Sequence, residues 1–327
     1  MYKRKFSHIY VEEDAFTFEI TENILKKFPG SNVMVIKHYK DIFCRKHQDF
    51  RAQKCSQALI LAVNREKSVY KGARVCQDFG NEHFYYCSNV KNCIFDCEYC
   101  YLQGMYSSGN IVIFVDLDKI FKETDELLRK HPVYLCISYD TDLLALEGIT
   151  GFLEKWAQFA SSYNNLTIEV RTKSGSMINS KSQINNLIFA WTMSPEHIID
   201  AHESGTASLE ARIKAVNSVI DAGGKVHLCF DPIIYCDNFE AIYGEMFDMV
   251  FKNVDITKVE GVSVGTFRIS KSYLKNMRKQ RLCEITAFPY QCIDGVYQYD
   301  TSMNSMILNF ALERIGEYFS DSKIFIN

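Results

Sequence analysis

Apolar positions along the chain follow two alternating rhythms. Short runs rich in valine, isoleucine and leucine alternate with longer stretches in which apolar side chains return every third or fourth position, the periods of buried strand and amphipathic helix. Over residues 1–70 this predicts a small α/β lead: strands at His8–Val11, Asn32–Lys37 and Ala58–Val63, and a helix over Thr21–Phe28 closed by Pro29-Gly30. From Lys71 the pattern becomes a series of βα units. Strand Ile111–Val115 leads to helix Leu117–Lys130, strand Val133–Ser138 to helix Leu144–Tyr163, and strand Leu166–Arg171 to a short helix near Ser176–Asn186. Strand Leu187–Thr192 precedes helix Ser208–Ala222, strand Lys225–Asp231 precedes helix Asn238–Asn253, and Gly261–Thr266 is the last strand. Such alternation predicts an α/β fold on a parallel sheet, and a series this long favours a full or partial barrel, with functional residues at the strand C-termini. The expected division is a lead at 1–70, a barrel at 71–266 and an extension at 267–327 packed on it.

Composition narrows the classes. With 327 residues, 47 % of them hydrophobic and 13 % aromatic, the chain has ample material for a sizeable core. Twelve cysteines, no signal peptide and no apolar run of the ~18 residues that a membrane span needs point to a reducing cytoplasm, where thiols bind metal or sit buried. A net charge of −3 gives no global field for nucleic acid, so any DNA-binding surface is a local patch. Two such patches stand out. Lys37-His38-Tyr39-Lys40, Cys44-Arg45-Lys46-His47 and Arg51-Ala52-Gln53-Lys54 interleave basic and aromatic residues, and Lys271, Lys275, Arg278, Lys279 and Arg281 recur at near-helical spacing. Either is a phosphate-contacting edge or a solvated face.

The chemistry concentrates in Lys91-Asn92-Cys93-Ile94-Phe95-Asp96-Cys97-Glu98-Tyr99-Cys100-Tyr101-Leu102-Gln103, where three cysteines stand at C-x3-C-x2-C. A closed zinc or iron–sulfur site takes four protein ligands, and within a few residues of Cys100 no fourth cysteine follows. Three thiolates on one loop hold three irons of a [4Fe–4S] cubane and leave the fourth open to a small molecule. A zinc site recruiting Cys87 as fourth ligand is the competing reading; three unrelated buried thiols are another.

This loop resembles those of the radical S-adenosylmethionine (AdoMet) superfamily. With Asp140-Thr141-Asp142, Val170-Arg171-Thr172-Lys173, Glu203-Ser204-Gly205-Thr206, Leu209-Glu210-Ala211-Arg212-Ile213 and Gly295-Val296-Tyr297-Gln298-Tyr299-Asp300, it resembles spore photoproduct lyase in order and spacing. The resemblance implies a partial (β/α)6 TIM-like barrel and AdoMet bound at the open iron of a [4Fe–4S] cluster on Cys93, Cys97 and Cys100. It also implies a 5′-deoxyadenosyl radical that begins the splitting of a methylene-bridged thymine dimer in ultraviolet-damaged DNA. An electron donor such as flavodoxin or ferredoxin is implied with it.

By the same resemblance, Tyr99 lies along the adenine, Lys173 pairs with the AdoMet carboxylate, and Thr141 and Thr192 stand near the nucleoside. Tyr101 takes part in returning the radical. Tyr139 occupies the position at which the family carries a cysteine that gives a hydrogen atom to the product radical. Strand alternation predicts that Cys136, three residues earlier, points away from the barrel and does not replace it. The aromatic-bearing stretch Phe288-Pro289-Tyr290-Gln291-Cys292-Ile293-Asp294 matches a hairpin that holds the flipped lesion, without an arginine. The departures at Tyr139 and in this hairpin leave open a paralogue acting on another nucleic acid or a peptide. A non-enzymatic metal or cluster sensor is the remaining alternative.

Overall fold

In the computed structural model, described at residues 5–73, 76–178 and 186–327, two sheets organise the chain. The larger runs Ile324–Ile326, Val259–Thr266, Lys225–Ile233, Leu187–Thr192, Leu166–Thr172, Val133–Cys136, Phe84–Cys87, Val69–Lys71. Every neighbour is parallel except the last, an antiparallel edge pair. Parallel neighbours need crossover helices, and the helices Phe152–Ala160, Leu209–Asp221 and Phe239–Asn253 supply them. Six parallel strands with helices outside are the partial barrel that the periodicity predicts, extended by the strand at the C-terminus.

Strand parity sorts the core. Leu135, Ile168, Val170, Phe189, Trp191, Leu228 and Phe230 join helix residues Trp156, Val216 and Phe247 in the main apolar cluster. The opposite faces carry Tyr134, Cys136, Ile188, Ala190 and Cys229 into a smaller cluster inside the barrel. Cys136 therefore faces the interior, correcting the expectation that it points away. The strand ends at Cys136, so the alternation counted back from Tyr139 does not extend through the turn between them.

The second sheet runs Asn32–Ile36, His8–Glu12, Leu59–Ala62, Ile111–Phe114, Val90–Lys91. Ile111–Phe114, predicted as the first barrel strand, instead pairs parallel with Leu59–Ala62; Phe84–Cys87 takes its place in the barrel. Both four-residue runs are fully buried, and burial alone does not say which sheet a strand joins. Residue 70 thus separates stretches of chain whose strands share a sheet, and the extension returns its final strand to the barrel.

Helix ends follow side-chain chemistry. Asp142, Ser208 and Asp300 accept from the backbone N–H groups of Ala145, Ala211 and Met303, capping the helices that follow them. The helix expected over Leu144–Tyr163 is two, Leu143–Thr150 and Phe152–Ala160, divided where Gly151 turns left-handed at φ 62°. The helix expected near Ser176–Asn186 falls largely outside the described residues. Helix Glu196–His202 and the strand Glu203–Ser204 were not expected; the latter pairs antiparallel with Asp96–Cys97 and ties the cysteine loop to the barrel. The loop is also clamped by helix Lys271–Gln280, which crosses Leu102–Met105 so closely that a Cβ on Gly104 would lie 2.5 Å from the Tyr273 carbonyl oxygen.

Candidate active site

The barrel's C-terminal mouth opens into a cavity of about 380 Å³. Cys93, Cys97, Cys100, Tyr99, Tyr101, Tyr139, Thr141, Lys173 and Thr192 all line it, so every candidate drawn from the sequence meets there.

The cysteine loop is held by its backbone. Asn92 adopts φ 70°, and its amide donates to the carbonyls of Ser108 and Asn110 at 2.8 and 3.0 Å. Lys54, given above as part of a phosphate-contacting or solvated stretch, is buried against this loop, with its ammonium 2.6 and 2.8 Å from the carbonyls of Cys93 and Phe95. Gln57 also donates to Cys93 O at 3.0 Å, and Gln103 to Cys97 O at 2.6 Å. Arg281 reaches back from the C-terminal extension to Asp96 at 2.5 Å and Glu98 at 3.7 Å. Burial pushes the Cys93 thiol up to about 12 despite Lys54, and raises Cys97 and Cys100 too. Iron binding at such thiols must displace protons, which makes loading pH-dependent.

Two features test whether the donors suit a cubane or a single zinc ion. Cys87 ends the strand Phe84–Cys87, is buried in the main core and does not line the cavity. Among the described residues no three His, Cys, Asp or Glu side chains converge on one metal-ion position. A cubane distributes its thiolates over different irons, so three cysteines around a shared opening fit it and the zinc arrangement with Cys87 is not built.

Beside the loop lies a charged network. Lys173 follows strand Leu166–Thr172; its N–H donates to Asp142 Oδ2 at 2.7 Å and its ammonium to Tyr99 Oη at 2.6 Å, 3.7 Å from Glu203. Its side chain is 16 % exposed, so it is not the solvated strand-end lysine that sequence position alone would suggest. Glu203 accepts from Tyr99 and from buried Arg212, and from Ser194 Oγ at 2.8 Å. Burial alone would raise its carboxyl; Lys173 and Arg212 outweigh that and hold it at about 2. Asp142 joins the two halves, because it also accepts from Thr172 Oγ1 at 2.9 Å while capping the next helix.

The Thr141 hydroxyl is buried and has no hydrogen-bond partner among the described residues. Thr192 lines the cavity at the end of its strand and lends its carbonyl to Arg212 at 2.9 Å. Tyr101 Oη donates to Tyr139 O at 2.6 Å, and the two rings lie 5.7 Å apart. Tyr139 stacks on Tyr86 at 4.3 Å, and its hydroxyl lies 3.0 Å from Cys76 Sγ. Burial and then Cys76 push this phenol well above its ordinary range, so it keeps its proton at neutral pH. Arg268 pairs with Asp231 at 2.8 and 3.0 Å on the remaining side.

The sequence reading missed Cys76 and the Arg268–Asp231 pair, and assigned no role to Glu203, Arg212 or Asp142. Cys76 lies in an irregular segment without periodicity, and nothing in its neighbours marks it. The hairpin Gln291–Ile293 with Val296–Gln298 is present, turning through Asp294 and Gly295, both at positive φ. Of the two aromatics in the stretch matched to that hairpin, Tyr290 precedes the first strand and packs with Phe267, Phe288 and Tyr299.

A partial barrel of parallel strands whose first loop carries C-x3-C-x2-C at the mouth of a cavity defines a radical AdoMet enzyme. The chain belongs to the spore photoproduct lyase family, whose model matches residues 5–284. Spore photoproduct lyase of a Geobacillus species is 21 % identical over 76 % of this chain and 73 % of its own. That of Clostridium acetobutylicum is 21 % identical over 98 % of both. A solved structure of a doubly substituted spore photoproduct lyase with bound AdoMet and dinucleoside spore photoproduct superposes with a TM-score of 0.82 at 19 % identity, covering 99 % of each chain.

Proposed function

We propose that this protein is a carbon–carbon lyase that splits the methylene-bridged thymine dimer of ultraviolet-damaged DNA into two thymines. The observation that carries the reading is the meeting of the three loop cysteines, Lys173, Thr141, Thr192 and the tyrosine pair around one cavity at the strand C-termini. The solved relative holding both AdoMet and the dinucleoside lesion supports it.

Cys93, Cys97 and Cys100 are the residues to hold a [4Fe–4S] cluster, which with AdoMet supplies the carbon-centred radical that takes a hydrogen atom from the lesion. Lys173 has three donors and spends one on Tyr99, leaving capacity for the AdoMet carboxylate. Tyr99 and Glu203 fix that ammonium in place before a ligand arrives. Thr141 offers an unpaired hydroxyl to a nucleoside, and Thr192 a second one nearby. Tyr101 and Tyr139 form a phenol pair able to pass a hydrogen atom. A small one-electron protein donor such as flavodoxin or ferredoxin is the reductant this chemistry needs.

DNA beyond the lesion meets the exposed face of helix Lys271–Gln280. Arg278 is committed to the carbonyls of Thr286 and Phe288, and Arg281 to the cysteine loop, which leaves Lys271, Lys275 and Lys279 on one face.

The test has three readings. Anaerobically reconstituted protein should hold about four iron and four sulfide per chain, as a cubane requires. Lys173→Ala should keep that cluster and bind AdoMet about ten-fold more weakly, the loss of one charge-assisted hydrogen bond. With AdoMet present, dinucleoside spore photoproduct should bind and undamaged thymidine dinucleotide should not. Stoichiometric zinc retained through Cys87, or equal binding of damaged and undamaged dinucleotides, would contradict the proposal.

A further inference from the structure

We infer that an acidic one-electron carrier protein docks on the outer side of the cysteine loop, over a second cavity and the basic stretch that leads into helix Phe50–Cys55. This rests on the reading above only in taking Cys93, Cys97 and Cys100 as the cluster ligands. The second cavity, of about 650 Å³, is lined by Lys54, Cys55, Ile94, Phe95 and Asp96 together with the turns at 174–176 and 204–207. The three cysteines line the active-site cavity instead, so the loop is a wall between two chambers. Among the described residues Phe95 is the one that lines both. Its N–H donates to Cys93 Sγ at 3.4 Å, and its ring stands beside Gly205 of the outer chamber, where a Cβ would lie 3.7 Å from Cδ1.

The outer side is basic. Residues 37–54 hold six lysines and arginines against two aspartates in a chain whose net charge is −3. Arg45, Lys46, His47 and Arg51 are exposed, and Arg51 lies one helical turn before Cys55, on the face that reaches the chamber. Of the two acids, Asp49 turns its carboxylate onto Ala52 N–H at 2.9 Å. Asp96, on the chamber wall, is held by Arg281. The helix is fastened to the loop, because Lys54 in its last turn donates to the carbonyls of Cys93 and Phe95. A negatively charged protein steered to this face therefore meets the cysteine loop through Phe95.

A nucleic-acid backbone is the other large anion that such a face attracts, and the placement favours the carrier. Phe267, Arg268 and Tyr273 line the active-site cavity on the side proposed to meet DNA, and no residue of 267–298 lines the outer chamber. One electron passes in each encounter: the carrier is oxidised by one, the iron site is reduced by one, and no bond forms or breaks.

Oxidised flavodoxin, an acidic carrier, is the probe. At low ionic strength it should bind the reconstituted protein in isothermal titration calorimetry, and the triple variant Arg45→Glu, Lys46→Glu, Arg51→Glu should bind it about ten-fold more weakly. Reductive cleavage of AdoMet driven by reduced flavodoxin should slow in that variant, while cleavage driven by dithionite, which needs no docking, should be unchanged. In the wild-type protein flavodoxin should also slow iodoacetamide modification of Cys55 and not of Cys292, both exposed, as read by peptide mass spectrometry. Absence of binding by the wild type, unchanged affinity in the variant, or unprotected Cys55 would each overturn the inference. Loss of affinity for duplex DNA with flavodoxin binding intact would overturn it too, and make the stretch a nucleic-acid edge. None of these readings uses the lesion, so a protein that cleaves AdoMet and spares the lesion would remove the lyase reading and leave the docking face standing.

Discussion

Glu203 is a fully buried carboxylate set between Lys173 and Arg212, and it decides how the cofactor side of the cavity is charged. Removing its charge strands Arg212 inside the protein, so Glu203→Gln should cost about 3–5 kcal/mol in urea denaturation of the cluster-free chain. The pH dependence has a definite sign. Its folded-state carboxyl titrates at about 2, below the ordinary value near 4.3, so the stabilisation is complete above that ordinary value and is lost as pH falls toward 2. The acid limb of the wild-type stability curve over that window should therefore be steeper than that of Glu203→Gln. Thr141 has the opposite character. A buried hydroxyl without a partner weakens the empty protein, so Thr141→Val should raise its stability by about 1 kcal/mol while weakening binding of the dinucleoside lesion about five-fold. A loss of stability in that variant would mean the hydroxyl is already satisfied. As cavity residues Lys173 and Thr141 were legible because each falls inside a motif, Lys173 directly after a strand and Thr141 in the turn beyond one; Glu203 was legible only as part of a motif. Its role depends on a two-residue strand pairing with Asp96–Cys97, which no local pattern announces.

Among the elements, helix Lys271–Gln280 has two faces with two tasks. Its inner face packs on Leu102–Met105 at Gly104 and, through Arg281 just beyond its end, pins the cysteine loop. Its outer face keeps Lys271, Lys275 and Lys279 exposed. Replacing these three lysines by alanine should weaken binding of lesion-bearing duplex DNA and reduce the slope of log K against log salt by about 3, while binding of the dinucleoside stays unchanged. An unaltered slope in a salt titration would assign the phosphate contacts to another face. From sequence the five basic residues looked equivalent, because spacing does not tell which guanidinium is committed to a carbonyl or a carboxylate. The same limit explains Lys54, read as a basic surface residue and found buried under the loop that it holds. Strand parity failed for Cys136 because the strand stops there; the turn to Tyr139 resets which side each residue faces.

At the scale of the molecule, the alternation of strands and helices predicted the barrel, and the three-cysteine spacing identified its functional end. Pairing between distant segments was beyond reach. Ile111–Phe114 crosses to the N-terminal sheet, and Ile324–Ile326 returns to the barrel beside Val259–Thr266. That last strand brings Phe325 against Phe79, 5.3 Å ring to ring, so the C-terminus buttresses the segment carrying Cys76. Within the described residues no helix is long and apolar enough to cross a membrane. These distant pieces assemble one cavity fitted to the splitting of a dithymine lesion. The most direct test of that fit is chromatography of the reconstituted wild-type protein incubated anaerobically with AdoMet, a one-electron reductant and dinucleoside spore photoproduct. The lesion should disappear, and two equivalents of thymidine should appear for each equivalent consumed. Persistence of the lesion while AdoMet is reductively cleaved would contradict it and assign the same radical machinery to another substrate.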